Sequence, residues 1–198
     1  MKQNSSGCRL QLMLLAAFFF MGALAGQFAV LRSTDETISA LGACLRPYRD
    51  ALLGAESPLV GFGALLRVYL PEALLAFLSA YTLLGAVILP LTAAYFGFSL
   101  SFSVCALTAV FGGSGLLLSL ALFGLRALLT VPCFFLLAVP AWRASRDLTA
   151  AYLGKSRVSP APLAVSWRRR CLFVAALLTT GVCAERYLTP LFLKLLFP

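Results

Sequence analysis

Few residues in this chain could do chemistry, and their types narrow the reactions open to it. Histidine is absent, which removes Ser/His and Cys/His nucleophile pairs and histidine metal sites. The six cysteines, Cys8, Cys44, Cys105, Cys133, Cys171 and Cys183, show no CxxC spacing. Several fall inside apolar runs, where cysteine behaves as a small hydrophobe. A Cys44–Cys183 disulfide stays open if both face an oxidising side. Ser114 sits in Gly112-Gly113-Ser114-Gly115, but no Lys-Ser/Thr follows and no buried strand precedes, so this is not a phosphate-cradling loop. As a nucleophile Ser114 would need a lysine or carboxylate, and none of the lysines, Lys2, Lys155 and Lys194, is expected near it. The chain is expected to be no enzyme, with no catalytic, metal or cofactor site.

The ionisable residues that border long apolar runs are Glu72, Arg126, Glu185 and Arg186. Charges at membrane depth are costly and persist mainly when paired. The bland reading is an ion pair, Arg126 with Glu185 or Glu72, that fixes helix register. The sharper one is an ion-binding or transport role. All four are expected toward the outer side.

These residues must be carried by membrane helices. Of 198 residues, 61% are hydrophobic and 12% charged, about half the charged share of a soluble domain. Residues 73 to 125 contain no Asp, Glu, Lys or Arg, enough chain to cross a bilayer twice at about 20 residues a crossing. The net charge of +9 reads as topology, with no nucleic-acid partner, because the basic residues lie between apolar segments. The fold class is all-α, a polytopic membrane helical bundle of about five transmembrane helices with amphipathic surface helices, in one membrane domain over residues 1 to 198.

Spans are expected near 10–31, 71–89, 91–111, 116–142 and 171–187. The first follows Lys2 and Arg9. Its basic start and Ala23-Leu24-Ala25 before Gly26 also fit a cleavable signal peptide, but the apolar run continues through Leu31, longer than a signal core of about 7 to 15 residues, which favours an uncleaved helix. Residues 32–70 mix acids and bases and form an extracytoplasmic loop, with Ser33 or Thr34 capping one amphipathic helix and Ser57-Pro58 starting another. Pro71-Glu72 suits the first turn of the second span, and Pro90 marks the next turn. Ser99, Ser101 and Ser103 read as ordinary packing of small residues. Leu116 to Gly124 is either re-entrant or the start of a long kinked helix. Residues 143–170 carry seven bases (Arg143, Arg146, Lys155, Arg157, Arg168, Arg169 and Arg170) against Asp147, which places this loop in the cytoplasm. With five crossings the N-terminus is cytoplasmic and the C-terminus extracytoplasmic. The last apolar stretch is broken by Pro190 and Lys194.

Several runs resemble the stage II sporulation protein M family. They are Gly97-Phe98-Ser99-Leu100-Ser101-Phe102-Ser103, Phe111-Gly112-Gly113-Ser114-Gly115, Leu125-Arg126-Ala127-Leu128 before Val131-Pro132, and the ending Glu185-Arg186-Tyr187-Leu188-Thr189-Pro190. The resemblance covers about residues 66–145 and 172–192. The chain departs from the family at Phe123–Arg126, where a Pro-His-Asn-like element is common, and at Ser101, where a second Gly is common. The resemblance implies a scaffold of the engulfment machinery of endospore-forming bacteria. Such a scaffold brings two partners, a glycan-strand lytic enzyme and an amidase/endopeptidase, to the engulfing cell membrane. Glu72, Gly97, Gly112, Gly113, Gly115, Arg126, Pro132, Glu185, Tyr187 and Pro190 become structural or interaction candidates. The lipid bilayer is a further partner, and homo-oligomerisation stays open. The competing reading is a transporter or permease subunit, since Pro- and Gly-broken helices can build sites at membrane depth.

Overall fold

The computed structural model describes residues 3–53, 62–153 and 164–196, and among them every regular element is helical. In chain order these are α1 (Gln3–Leu31), α2 (Asp35–Leu53), α3 (Phe62–Ser79), α4 (Gly85–Phe111), α5 (Gly113–Ser119), a π segment (Leu120–Gly124), α6 (Leu125–Tyr152) and α7 (Ala164–Leu196). Among the described residues three helices are long and apolar enough to cross a membrane, Arg9–Leu31, Gly85–Phe111 and Arg126–Tyr152. Leu24, Leu91 and Leu128 project from them, each more than 60% exposed. Such a surface is unfavourable in water and costs nothing in hydrocarbon.

The core is shared by α1, α3, α4, α6 and α7, around Leu15, Ala76, Leu89, Phe96, Phe134, Val174 and Val182. Phe19, Phe96, Phe134 and Phe135 interlock edge to face at its centre, with ring centroids 5.6–6.1 Å apart. The closest helix pair is α1 with α4. A Cβ on Gly22 would fall on the Ala94 carbonyl, one on Gly26 on the Phe98 carbonyl, and one on Gly97 on the Phe19 carbonyl. Gly22-Ala-Leu-Ala-Gly26 is therefore a GxxxG contact used within one chain. A step of four residues on α1 matches a step of four on α4, so the two helices run parallel.

Several boundaries differ from the sequence expectation. The second span is not 71–89: α3 ends at Ser79, residues 80–84 turn, and α4 starts at Gly85 rather than 91. Pro90, expected as the turn, is the sixth residue of α4, and Pro71, expected at a helix start, lies inside α3. The turn at 80–84 has no Gly or Pro because other bonds hold it. Thr82 Oγ1 donates to the Ser79 carbonyl (3.2 Å). From α6, Ser145 Oγ donates to the Thr82 carbonyl (2.8 Å) and accepts from Ala86 N–H (3.0 Å), and Thr149 Oγ1 donates to the Leu83 carbonyl (3.1 Å).

The region from 143 to 170 is not a loop along its length. α6 continues to Tyr152, and α7 begins at Ala164 rather than at Cys171, so Arg168, Arg169 and Arg170 occupy its first turns. Lys155 and Arg157 lie outside the described residues, as do Lys2 and Ser57-Pro58. α7 also runs through Pro190 and Lys194, expected from the sequence to break it. Of the two readings of 116–124, the long helix holds: the chain is helical from Gly113 to Tyr152, with a π turn inside it. Ser33 and Thr34 do not cap α2 with their hydroxyls. Ser33 Oγ donates back to the Ala29 carbonyl (3.0 Å), and the Thr34 hydroxyl pairs with that of Thr37 (2.9 Å).

Candidate functional site

One group of polar side chains converges between α4 and α6. A cavity of about 90 Å³ is lined by Phe96, Ser99, Leu100 and Ser103 of α4, Phe123 of the π segment, and Arg126, Ala127 and Thr130 of α6. Ser99 and Ser103 share a face because they are one turn apart, as are Arg126 and Thr130. Ser103 Oγ donates to the Ser99 carbonyl (2.8 Å) and Thr130 Oγ1 to the Arg126 carbonyl (2.9 Å). These bonds hold the hydroxyls against their own helices and leave oxygen lone pairs as acceptors.

The π segment ends immediately before Leu125-Arg126. A π turn is a one-residue insertion in an α-helix and recurs at functional sites. One extra residue rotates the downstream helix by about 100°. The face of α5 that packs Leu118 on Leu107 and the face of α6 that carries Arg126 are thus set separately.

Arg126 was expected toward the outer side. It is half-buried at the start of α6 and lines the cavity with Phe96, Ser99 and Ser103 of α4. An arginine bordering an apolar span is costly to bury unless it meets polar groups or water. A polar cavity that water can enter lowers that cost, since a volume of this size holds more than one water. Glu185, on α7, is also half-buried, and α7 packs along α6 and reaches the π segment.

The other sequence candidates are dispersed. Gly97 lies on the α1 side of α4, buried in the glycine contact. Gly112 ends α4 with φ +63° and is exposed beside Gly113, while Gly115 is buried where a Cβ would fall on the Leu107 carbonyl. The left-handed φ explains why glycine stands at 112. Pro132 and Tyr187 are exposed on the outside of the bundle. Glu72 and Pro190 lie within α3 and α7, and their side chains are outside the described residues. Cys44 and Cys183 are both exposed and free, so they form no disulfide here. Ser114, exposed, donates to the Phe111 carbonyl at 2.7 Å, a turn bond rather than an activated hydroxyl.

Two features escape the sequence reading. Ser99 and Ser103 read as packing residues there, whereas they line the cavity with Arg126; their spacing of four on an apolar helix is the available signal. Gly26 enters there only as the end of a possible cleavage site and Gly22 not at all, although GxxxG in an apolar run is a recognised contact pattern.

Fold and site together give an all-helical chain with three helices long and apolar enough to cross a membrane, and a cavity lined by Ser99, Ser103, Arg126 and Thr130 between two of them. Compared with family models, curated proteins and solved structures, the chain matches none.

Proposed function

We propose that this protein is a non-enzymatic scaffold of the cell membrane, part of the engulfment machinery of endospore-forming bacteria, that holds peptidoglycan-degrading enzymes at the septal or engulfing membrane. The observation that carries the reading is the set of runs 97–103, 111–115 and 125–132 and the ending 185–190, which resemble the stage II sporulation protein M family in order and spacing. The first three lie on α4, the turn at Gly112, and α5 to α6, which pack on one another. In this reading α1, α3, α4, the α5–α6 run and α7 are five crossings, with the basic end cytoplasmic. Affinity capture from detergent-solubilised sporulating cells tests it. The scaffold should retain a glycan-strand lytic enzyme and an amidase/endopeptidase; loss of both, with a known membrane partner retained as control, refutes it.

A second reading, a transporter or permease subunit, is favoured by the cavity with Arg126, Ser99 and Ser103. Solute uptake in proteoliposomes would then fall when Arg126 is changed to Gln. Uptake that is absent, or the same in both proteins, excludes it.

A further inference from the structure

The functional reading leaves unused the charged end of the bundle. Arg9 on α1, Arg146 on α6, and Arg168, Arg169 and Arg170 on α7 are exposed there. Three hydrogen-bonded or packed contacts bring these helix ends together. Arg143 Nε on α6 donates to Gln11 Oε1 on α1 at 2.9 Å. Ser145 and Thr149 clamp the α3–α4 turn. Trp167, at the start of α7, stacks on Phe77 of α3 with centroids 6.0 Å apart and planes at 12°. The acid at this end among the described residues is the exposed Asp147.

Two further observations say what such an end would take. Trp167 is 5% exposed, and its indole Nε1 is buried with no hydrogen-bond partner. A buried donor without an acceptor is costly, and native structures rarely keep one without a reason. The arginines also border a lipid-like surface. Leu10 and Met13 follow Arg9, and Leu172 and Phe173 follow Arg170, each at least 60% exposed. A ligand that matches both parts has an anionic oxygen-rich head and apolar chains.

We propose that this end is a binding site for the headgroup phosphate of an anionic diacyl phospholipid. Arg168, Arg169 and Arg170, with Arg146 of the adjoining α6, supply the charge; the indole N–H of Trp167 supplies a donor once the head is seated; and the chains lie along Leu172 and Phe173. Arginine suits the phosphate because its planar fork donates two hydrogen bonds at once. Basic pockets between helix ends on the cytoplasmic side bind anionic lipid heads by the same chemistry. The proposal rests on the helices being membrane-spanning, but it needs neither the scaffold role nor a particular orientation.

The experiment uses the full chain in neutral detergent with Trp142→Phe, which leaves Trp167 as the sole tryptophan. Mixed micelles containing dioleoyl phosphatidylglycerol or dioleoyl phosphatidylcholine, or dissolved inorganic phosphate, are titrated in, and Trp167 emission is read. Phosphatidylglycerol should give a saturable change, weakened about tenfold or more when Arg168, Arg169 and Arg170 are all changed to Gln, and far less when all three become Lys. Should the Gln triple variant lose its helical circular dichroism, each single Arg→Gln change is titrated and must weaken binding. An equal response to phosphatidylcholine, or an unchanged midpoint in the Gln variants, overturns the site. Saturation by inorganic phosphate alone would make it a free-phosphate site and overturn the lipid proposal.

Discussion

At the scale of single residues, three glycines and one serine hold helices together where larger or apolar side chains could not. Gly97→Ala places a methyl on the Phe19 carbonyl, and the helices must part to admit it. Overpacking of this kind costs about 1–3 kcal/mol, and Gly97→Leu should exceed the Ala change. Thermal unfolding in detergent reads both, and a neutral Gly97→Leu would contradict the α1–α4 contact. Ser145→Ala removes one donor and one acceptor from the α3–α4 turn and should cost about 1 kcal/mol because a part-buried carbonyl and N–H lose a partner. Ser39→Ala, on the exposed face of α2, should be silent in the same assay. The third expectation concerns Arg126 and Glu185. If they share one interaction, Arg126→Leu lowers stability and adding Glu185→Gln recovers part of the loss. Strictly additive effects would show that they act separately.

At the scale of elements, local features are legible in the sequence and features that depend on neighbours are not. The apolar length of α1 and the helix end at Gly112 come from composition and from glycine's access to positive φ, whereas the sequence leaves the helix after Gly112 open between a re-entrant piece and a long helix. The turn at 80–84 is hidden, because Ala80-Tyr81-Thr82-Leu83-Leu84 carries no turn residue and its carbonyls are satisfied by Ser145 and Thr149, about sixty residues on. Proline misleads for a related reason. Pro71 and Pro90, expected at a helix start and at a turn, lie inside α3 and α4, where local adjustment and neighbours can satisfy the carbonyl that proline frees. Of the site, Arg126 is visible as a charge at the edge of an apolar run, but its serine neighbours come from how α4 and α6 pair. The π segment gives a direct prediction. Deleting Leu120 should convert it to regular α-helix and keep both flanking faces, whereas deleting Leu128 from α6 turns the downstream face by about 100°. Thermal stability should fall much less for the first deletion than for the second; equal losses would argue against a one-residue insertion.

At the scale of the whole molecule, the bundle has two distinct ends. Gln11, the turn at 80–84, Ser145, Thr149 and Trp167 gather at one end, among arginines. At the other end α2 is seated on α4 through Arg49 over the Phe111 ring, 4.9 Å from its centroid. The parallel run of α1 and α4 requires the α2–α3 segment to return across the bundle. The measurement that tests this most directly is labelling with a membrane-impermeant thiol reagent in intact cells, in a protein whose six native cysteines are replaced. Ser39→Cys on α2 should react, and Asp147→Cys beside the α6 arginines should react only after the membrane is opened. Protection of Ser39→Cys with ready labelling of Asp147→Cys would invert the bundle, and labelling of both in intact cells would contradict a membrane-spanning arrangement between them.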